Sequence, residues 1–136
     1  MKHEGGCLCG TVRYAVEGGP RETVHCHCRM CQKASGAPFV TWVTFAPKEA
    51  LTYTGEPPAI HHSSAHAQRE FCGRCGSQLA FRGDRLPGIV ITVATLDDPS
   101  WPKPLANTWA GSRLAWLHGF DETLPDLDGE WPGDET

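Results

Sequence analysis

The crowding of Cys26, Cys28 and Cys31 into the segment from Val24 to Gly36, VHCHCRMCQKASG, constrains this chain more than any other feature. One side of so short a segment cannot bury three thiols, so packing alone does not account for them and a shared partner is required. Two further pairs, Cys7 with Cys9 and Cys72 with Cys75, bring the total to seven. Scattered cysteines would be ordinary core residues. These spacings are instead those of metal ligands.

Where the chain works decides how its thiols are read. No apolar run approaches the roughly 20 residues that span a bilayer. The stretch from Met1 to Gly6 also lacks the apolar core of a signal peptide. The expectation is a soluble cytoplasmic protein, where a reducing environment disfavours structural disulfides and favours thiolates held by metal. Seven ligands divide as four plus three. Four make a closed zinc site; three make a second zinc site with a further position for water, substrate or another side chain. Cys7, Cys9, Cys72 and Cys75 suit the first, because a Cys-x-Cys pair and a distant Cys-x2-Cys pair can staple a small β domain through one ion. Cys26, Cys28 and Cys31 remain for the second, so two Zn²⁺ per chain are expected, the second of them labile. Alternatively His25 or His27 closes that second site and makes it structural, although residues alternating with ligands along a strand point away from the metal.

With 136 residues and 40% hydrophobic content, one domain spanning residues 1–136 is expected. A net charge of −4 and the absence of a basic tract argue against nucleic-acid binding. Short β-rich stretches dominate the pattern. Val12, Tyr14 and Val16 alternate along one strand, and Thr23–Val24 opens another after a turn at Glu17 to Pro20. FVTWVTF at residues 39–45 is the strongest strand, followed by residues 51–54, 79–82, 89–95 and 105–109. A turn or two of helix is predicted from Cys28 to Ser35, ended by Gly36 and Pro38. Trp116 and Leu117 are expected to cover the core. His61, His62 and His66 lack a ligand spacing and read as surface or loop residues. The acidic tail from Asp121 is expected to fray at its end.

Taken together, Gly-Cys-x-Cys-Gly, then Cys-His-Cys-x2-Cys with Ala34-Ser35-Gly36, then Cys72-Gly73-Arg74-Cys75-Gly76-Ser77, resemble the glutathione-dependent formaldehyde-activating enzyme family, which includes centromere protein V. The likeness extends to Val93 through Pro99 and the tryptophan-rich C-terminal segment, covering about residues 5–125. It implies a mainly β fold of the β-tent (Mss-like) kind, small antiparallel sheets stapled by a structural zinc. It also implies the structural role of Cys7, Cys9, Cys72 and Cys75, with Cys26, Cys28 and Cys31 at a catalytic zinc. Where relatives often carry a histidine two residues before the tryptophan of the C-terminal segment, this chain has Asn107 before Trp109.

The activity implied is that of a carbon-sulfur lyase, joining glutathione and formaldehyde to S-hydroxymethylglutathione or acting on a similar small-thiol adduct of an aldehyde. The rival is a non-catalytic zinc module that binds a thiol or a protein partner. Glutathione is anionic, so a site on this acidic chain needs local cations. Arg29, Lys33, Arg74 and Arg113 are candidates by position, against the plainer reading of solvated surface charge. Ser35, Gly36 and Trp42 are candidates for the mouth of the site, and Trp42 could equally be a core aromatic.

Overall fold

The computed structural model describes residues 1–117, 119, 120 and 122–132. In chain order the strands are β1 (Lys2–Gly6), β2 (Arg13–Glu17), β3 (Gly19–Cys26), β4 (Val40–Ala46), β5 (Leu51–Tyr53), β6 (Ala59–Ser64), β7 (Ala67–Phe71), β8 (Gln78–Gly83), β9 (Ile89–Thr92) and β10 (Ala106–Thr108). One α-helix, α1 (Arg29–Ser35), lies between β3 and β4 in sequence. The mainly β class is therefore as the strand pattern indicates. Among the described residues no helix is long and apolar enough to cross a membrane.

The chain forms two compact units, Met1–Arg21 with Val43–Pro102, and Glu22–Trp42 with the residues from Lys103 onward. In the first unit β1, β2 and β5 make a small antiparallel sheet, and β6, β7, β8 and β9 pair in sequence as an antiparallel meander. Its core follows the period of two that strands impose. Val12, Tyr14 and Val16 turn inward from one stretch, Val43 and Phe45 from β4, and Ile89 and Ile91 from β9, together with Leu51, Leu79 and Leu96. Cys7 and Cys72 belong to the same buried cluster, so the first metal motif is anchored in the core rather than hung on a loop. Two buried polar groups of this unit, Glu70 and Tyr14, find partners. Glu70 accepts from Tyr53 Oη at 2.6 Å, Gln68 Nε2 at 2.9 Å and Arg82 Nε at 2.5 Å, and the Tyr14 hydroxyl lies 2.9 Å from Thr95 Oγ1.

In the second unit β10 lies beside β3, which in turn neighbours β4. The β10–β3 pairing is parallel, with Ala106 opposite Val24, Asn107 opposite His25 and Thr108 opposite Cys26. Parallel neighbours require a long connection, and the chain supplies one of some eighty residues. The C-terminal segment then zips along the other side of β10. Asn107 N–H donates to Pro125 O at 2.9 Å, Leu127 N–H to Asn107 O at 2.8 Å and Trp109 N–H to Gly129 O at 3.1 Å.

Several local expectations are corrected. Strands β1 and β7 form although no alternation announced them, and β3 starts at Gly19, inside the expected turn. The strand from Ile89 stops at Thr92, because Thr95 Oγ1 returns to Thr92 O at 2.9 Å and curls Val93–Thr95 into a 3-10 turn. Most of the histidine stretch is strand β6 rather than loop, while His61, His62 and His66 are all exposed, as read from the sequence. Trp116 covers no core, being 65% exposed. The end of the acidic tail, residues 133–136, lies outside the described residues.

Burial pushes the Tyr14 phenol up to about 12 from its ordinary value of 10.0. A raised folded value means that the stabilisation is complete below pH 10 and is lost as pH rises toward 12. Compared with Tyr14→Phe, the protein should lose about 1.4 kcal/mol of stability between neutral pH and about pH 11. Urea unfolding of the two proteins at both pH values measures the difference.

Candidate metal centres and their surroundings

The first centre joins two tight turns. Gly10 and Gly76 each adopt a left-handed φ of +81°, which lets the chain double back after Cys-Leu-Cys and after Cys-Gly-Arg-Cys. Gly10 N–H bonds Cys7 O at 3.1 Å and Gly76 N–H bonds Cys72 O at 2.9 Å, so both turns are closed by the backbone. The four sulfurs lie within 4.8 Å of one another. Cys9 Sγ is 3.6 Å from Cys7 Sγ and 3.8 Å from Cys72 Sγ. A disulfide needs about 2.05 Å, whereas sulfurs at the corners of a tetrahedron with zinc–sulfur bonds of about 2.3 Å stand about 3.8 Å apart. The donor set therefore fits a tetrahedral zinc.

Backbone amides aim at these sulfurs. Val12 N–H reaches Cys7 Sγ at 3.3 Å, and the N–H groups of Arg74 and Cys75 reach Cys72 Sγ at 3.4 Å each. The Ser77 hydroxyl and amide hold the Cys75 thiol down at about 5. Cys7 also lies below its ordinary value: burial and Cys75 oppose ionisation, but the Val12 amide and the thiols of Cys9 and Cys72 favour it. Two thiolates so close repel, which a divalent cation relieves.

The second centre is built on the junction of β3 and α1. Cys26 ends β3, Cys28 caps α1 and Cys31 lies one turn inside it. The capping is direct, since Cys28 has extended φ/ψ of −61° and 148° and its Sγ accepts from Cys31 N–H at 3.2 Å. Helix capping and convergence of the sulfurs are thus one event. The three sulfurs lie within 4.8 Å of one another, with Cys31 and Cys26 at 3.6 Å, again the edge of a zinc tetrahedron. Hydrogen bonding to Cys28 and Cys31, together with burial, pushes the Cys26 thiol up. His25 Nδ1 lies 2.8 Å from Thr41 Oγ1 and His27 Nε2 lies 2.9 Å from Asn107 Oδ1, and among the described residues neither imidazole joins the three sulfurs in a group that could hold an ion. Burial holds His27 below the usual imidazole range.

Around this centre the sequence candidates separate. Arg29 and Lys33, a turn apart on α1, line an open groove of about 410 Å³ with Gln32, Gly36, Pro38 and Trp116. Arg113 is engaged instead by Asp126, and Arg74 belongs to the first unit, where it pairs with Glu56. Ser35 folds back on its own helix, donating to Cys31 O at 2.7 Å. Trp42 is only 5% exposed and is a core aromatic. Sequence reasoning missed Gln32. Its buried amide nitrogen reaches three carbonyls, His27 O at 2.9 Å, Pro38 O at 3.1 Å and Ser112 O at 3.1 Å, while its Oε1 accepts from Arg29 Nη1 at 2.6 Å. Nothing in a lone glutamine between Cys31 and Lys33 signals such a clamp.

Comparison with known proteins places this geometry. The sequence profile of the family described as "Glutathione-dependent formaldehyde-activating enzyme" matches residues 2–112. A Halomonas elongata protein provisionally named glutathione-dependent formaldehyde-activating enzyme is 29% identical over 111 residues, 76% of this chain and 71% of its own length. A Schizosaccharomyces pombe protein named only as an uncharacterized lyase is 31% identical over 81 residues, covering 59% of this chain and 57% of its own length. In structure, a crystallised Rhodobacter sphaeroides protein superposes with a TM-score of 0.58 at 22% identity, over 69% of this chain and 87% of that one, which bears on the fold alone.

The two centres should respond differently to loss of a ligand. Cys72→Ser removes a buried core thiol and its metal together and should leave the first unit unfolded. Cys28→Ser should release one zinc from a chain that stays folded. Zinc analysis of each variant with its circular dichroism spectrum makes the distinction.

Proposed function

This chain belongs to the glutathione-dependent formaldehyde-activating enzyme family, and on that premise we propose that it is a zinc-dependent enzyme of the carbon-sulfur lyase type, working at Cys26, Cys28 and Cys31 on a small-thiol adduct of an aldehyde. The observation that carries this reading is the convergence of three thiols at the start of a helix whose Arg29 and Lys33 line an open groove. The three cysteines would hold the ion. When bound, zinc supplies Lewis-acid chemistry toward a thiol or a carbonyl oxygen.

The chain's own residues supply binding and order. Arg29 and Lys33 offer positive charge to the carboxylates of glutathione, and Pro38 and Trp116 offer apolar surface to its backbone. Gln32 keeps the loop of His27, the turn at Pro38 and the segment at Ser112 in register beneath that groove. In the forward direction the thiol sulfur bonds to the aldehyde carbon, the carbonyl π bond opens and the thiol hydrogen ends on the oxygen. The reverse breaks the carbon-sulfur bond and names the class.

Adding zinc-loaded protein to glutathione and formaldehyde should accelerate formation of the adduct, followed by exchange NMR. A rate equal to the uncatalysed one, with both zincs retained, overturns the proposal in favour of a non-catalytic zinc module. In the charge test, Arg29→Gln with Lys33→Gln should reduce the preference for glutathione over an uncharged thiol by about tenfold, equivalent to about 1.4 kcal/mol. Competition between the two thiols in one reaction reads it directly.

A further inference from the structure

Two kinds of side chain line the groove on α1, and they come from different parts of the chain. Helix α1 contributes the cations Arg29 and Lys33 together with Gln32, and Arg29 and Gln32 directly follow Cys28 and Cys31 in the chain. The apolar part comes from Ala37 and Pro38, just past the left-handed stop at Gly36, and from Leu114 and Trp116. Gln32 has little left to offer a ligand, since its amide is engaged by three carbonyls and by Arg29. Leu114 and Trp116 also lie beyond residues 2–112, the part that the family profile matches, so the profile does not prescribe them.

The C-terminal part of this lining is held in place by contacts of its own. Ser112 O accepts from Gln32 Nε2 at 3.1 Å, Arg113 donates to both oxygens of Asp126, and Asn107 Nδ2 on β10 donates to Asp126 Oδ1 at 3.4 Å. Leu117 N–H then donates to Leu114 O at 3.0 Å and turns the chain at Trp116. A tryptophan held in such a turn and still 65% exposed leaves a large apolar surface in water. Covering it with apolar ligand surface is favourable.

We infer that Leu114 and Trp116 read the aldehyde half of the substrate, and that the preferred adduct joins an anionic thiol to an aldehyde bearing an alkyl or aryl chain rather than to formaldehyde. The inference rests on reading the groove on α1 as the binding place of a thiol–aldehyde adduct. Charge complementarity assigns Arg29 and Lys33 to the carboxylates of the thiol half. Formaldehyde adds one carbon and a hydroxyl, and so brings almost no apolar surface to Leu114 and Trp116; a longer chain does. The bonds made and broken are unchanged. Sulfur bonds to the carbonyl carbon, the π bond opens and the thiol hydrogen ends on oxygen, with the alkyl chain a spectator. Full burial of a methylene is worth about fourfold in affinity, and an open groove that covers one side of it about twofold.

S-alkylglutathiones are stable stand-ins for such adducts, and calorimetry of their binding to the zinc-loaded full chain tests the inference apart from catalysis. S-hexylglutathione, five methylenes longer, should bind about thirtyfold more tightly than S-methylglutathione. Leu114→Ala with Trp116→Ala should narrow that ratio to about threefold, while Trp116→Phe keeps most of it. Zinc content and circular dichroism show that each variant is folded. With glutathione as the thiol, acceleration over the uncatalysed rate should be greater for hexanal than for formaldehyde. Equal affinity of the two S-alkylglutathiones, or greater acceleration for formaldehyde, overturns the inference and leaves the groove as a glutathione site. A thirtyfold ratio that survives the double variant also overturns it, because the alkyl chain then lies elsewhere. If neither compound binds or neither reaction is accelerated, the reading of the site falls and the inference with it.

Discussion

Thiolates gathered around one point repel each other, and that repulsion is the constraint on which the first unit depends. Cys7, Cys9, Cys72 and Cys75 come from turns more than sixty residues apart, yet their sulfurs lie within 4.8 Å. Hydrophobic burial brings Cys7 and Cys72 into the core, and amide donors from Val12, Arg74 and Cys75 favour their negative charge. What remains unbalanced is the charge of the cluster, and a dication balances it. The apolar core and a metal held there would thus not be independent supports. Each would place the other.

The second centre shares the chemistry but not the embedding. Its sulfurs are held by the end of a strand and the first turn of a helix, and its polar surroundings are a buried glutamine clamp and a histidine–asparagine–carboxylate–guanidinium chain. Such networks specify geometry well because every member loses a partner when one moves. The two cysteine groups therefore differ less in donor type than in what surrounds the donors.

The grouping of the cysteines was legible in the sequence because cysteine spacing is a local signal. Cys-x-Cys, Cys-x2-Cys and their glycines are read without knowing the fold, and the helix from Cys28 to Gly36 is marked by its own cap and stop. The strand at β4 was legible for the same reason, its residues being β-branched or aromatic throughout. Strands β1 and β7 were not, since KHEGG and AQREF carry little intrinsic strand preference and are ordered by the neighbours they pair with. The tail around Asp126 reads as solvated charge until its partner is known: Arg113 makes it part of the His27 network. Trp116 reads as core by composition but lines a groove, because hydrophobicity reports a preference for burial and not which surface receives it.

The parallel pairing of β10 with β3 also has a meaning in time. A chain emerging from the ribosome has every residue of the first unit by Pro102, including all four of its thiols. The second unit already holds Cys26, Cys28 and Cys31 by then, but the strand opposite His25 and Cys26 is still to come. Domains fold as their residues become available. Cys26, Cys28 and Cys31 are therefore translated early, well before the strand that pairs beside them.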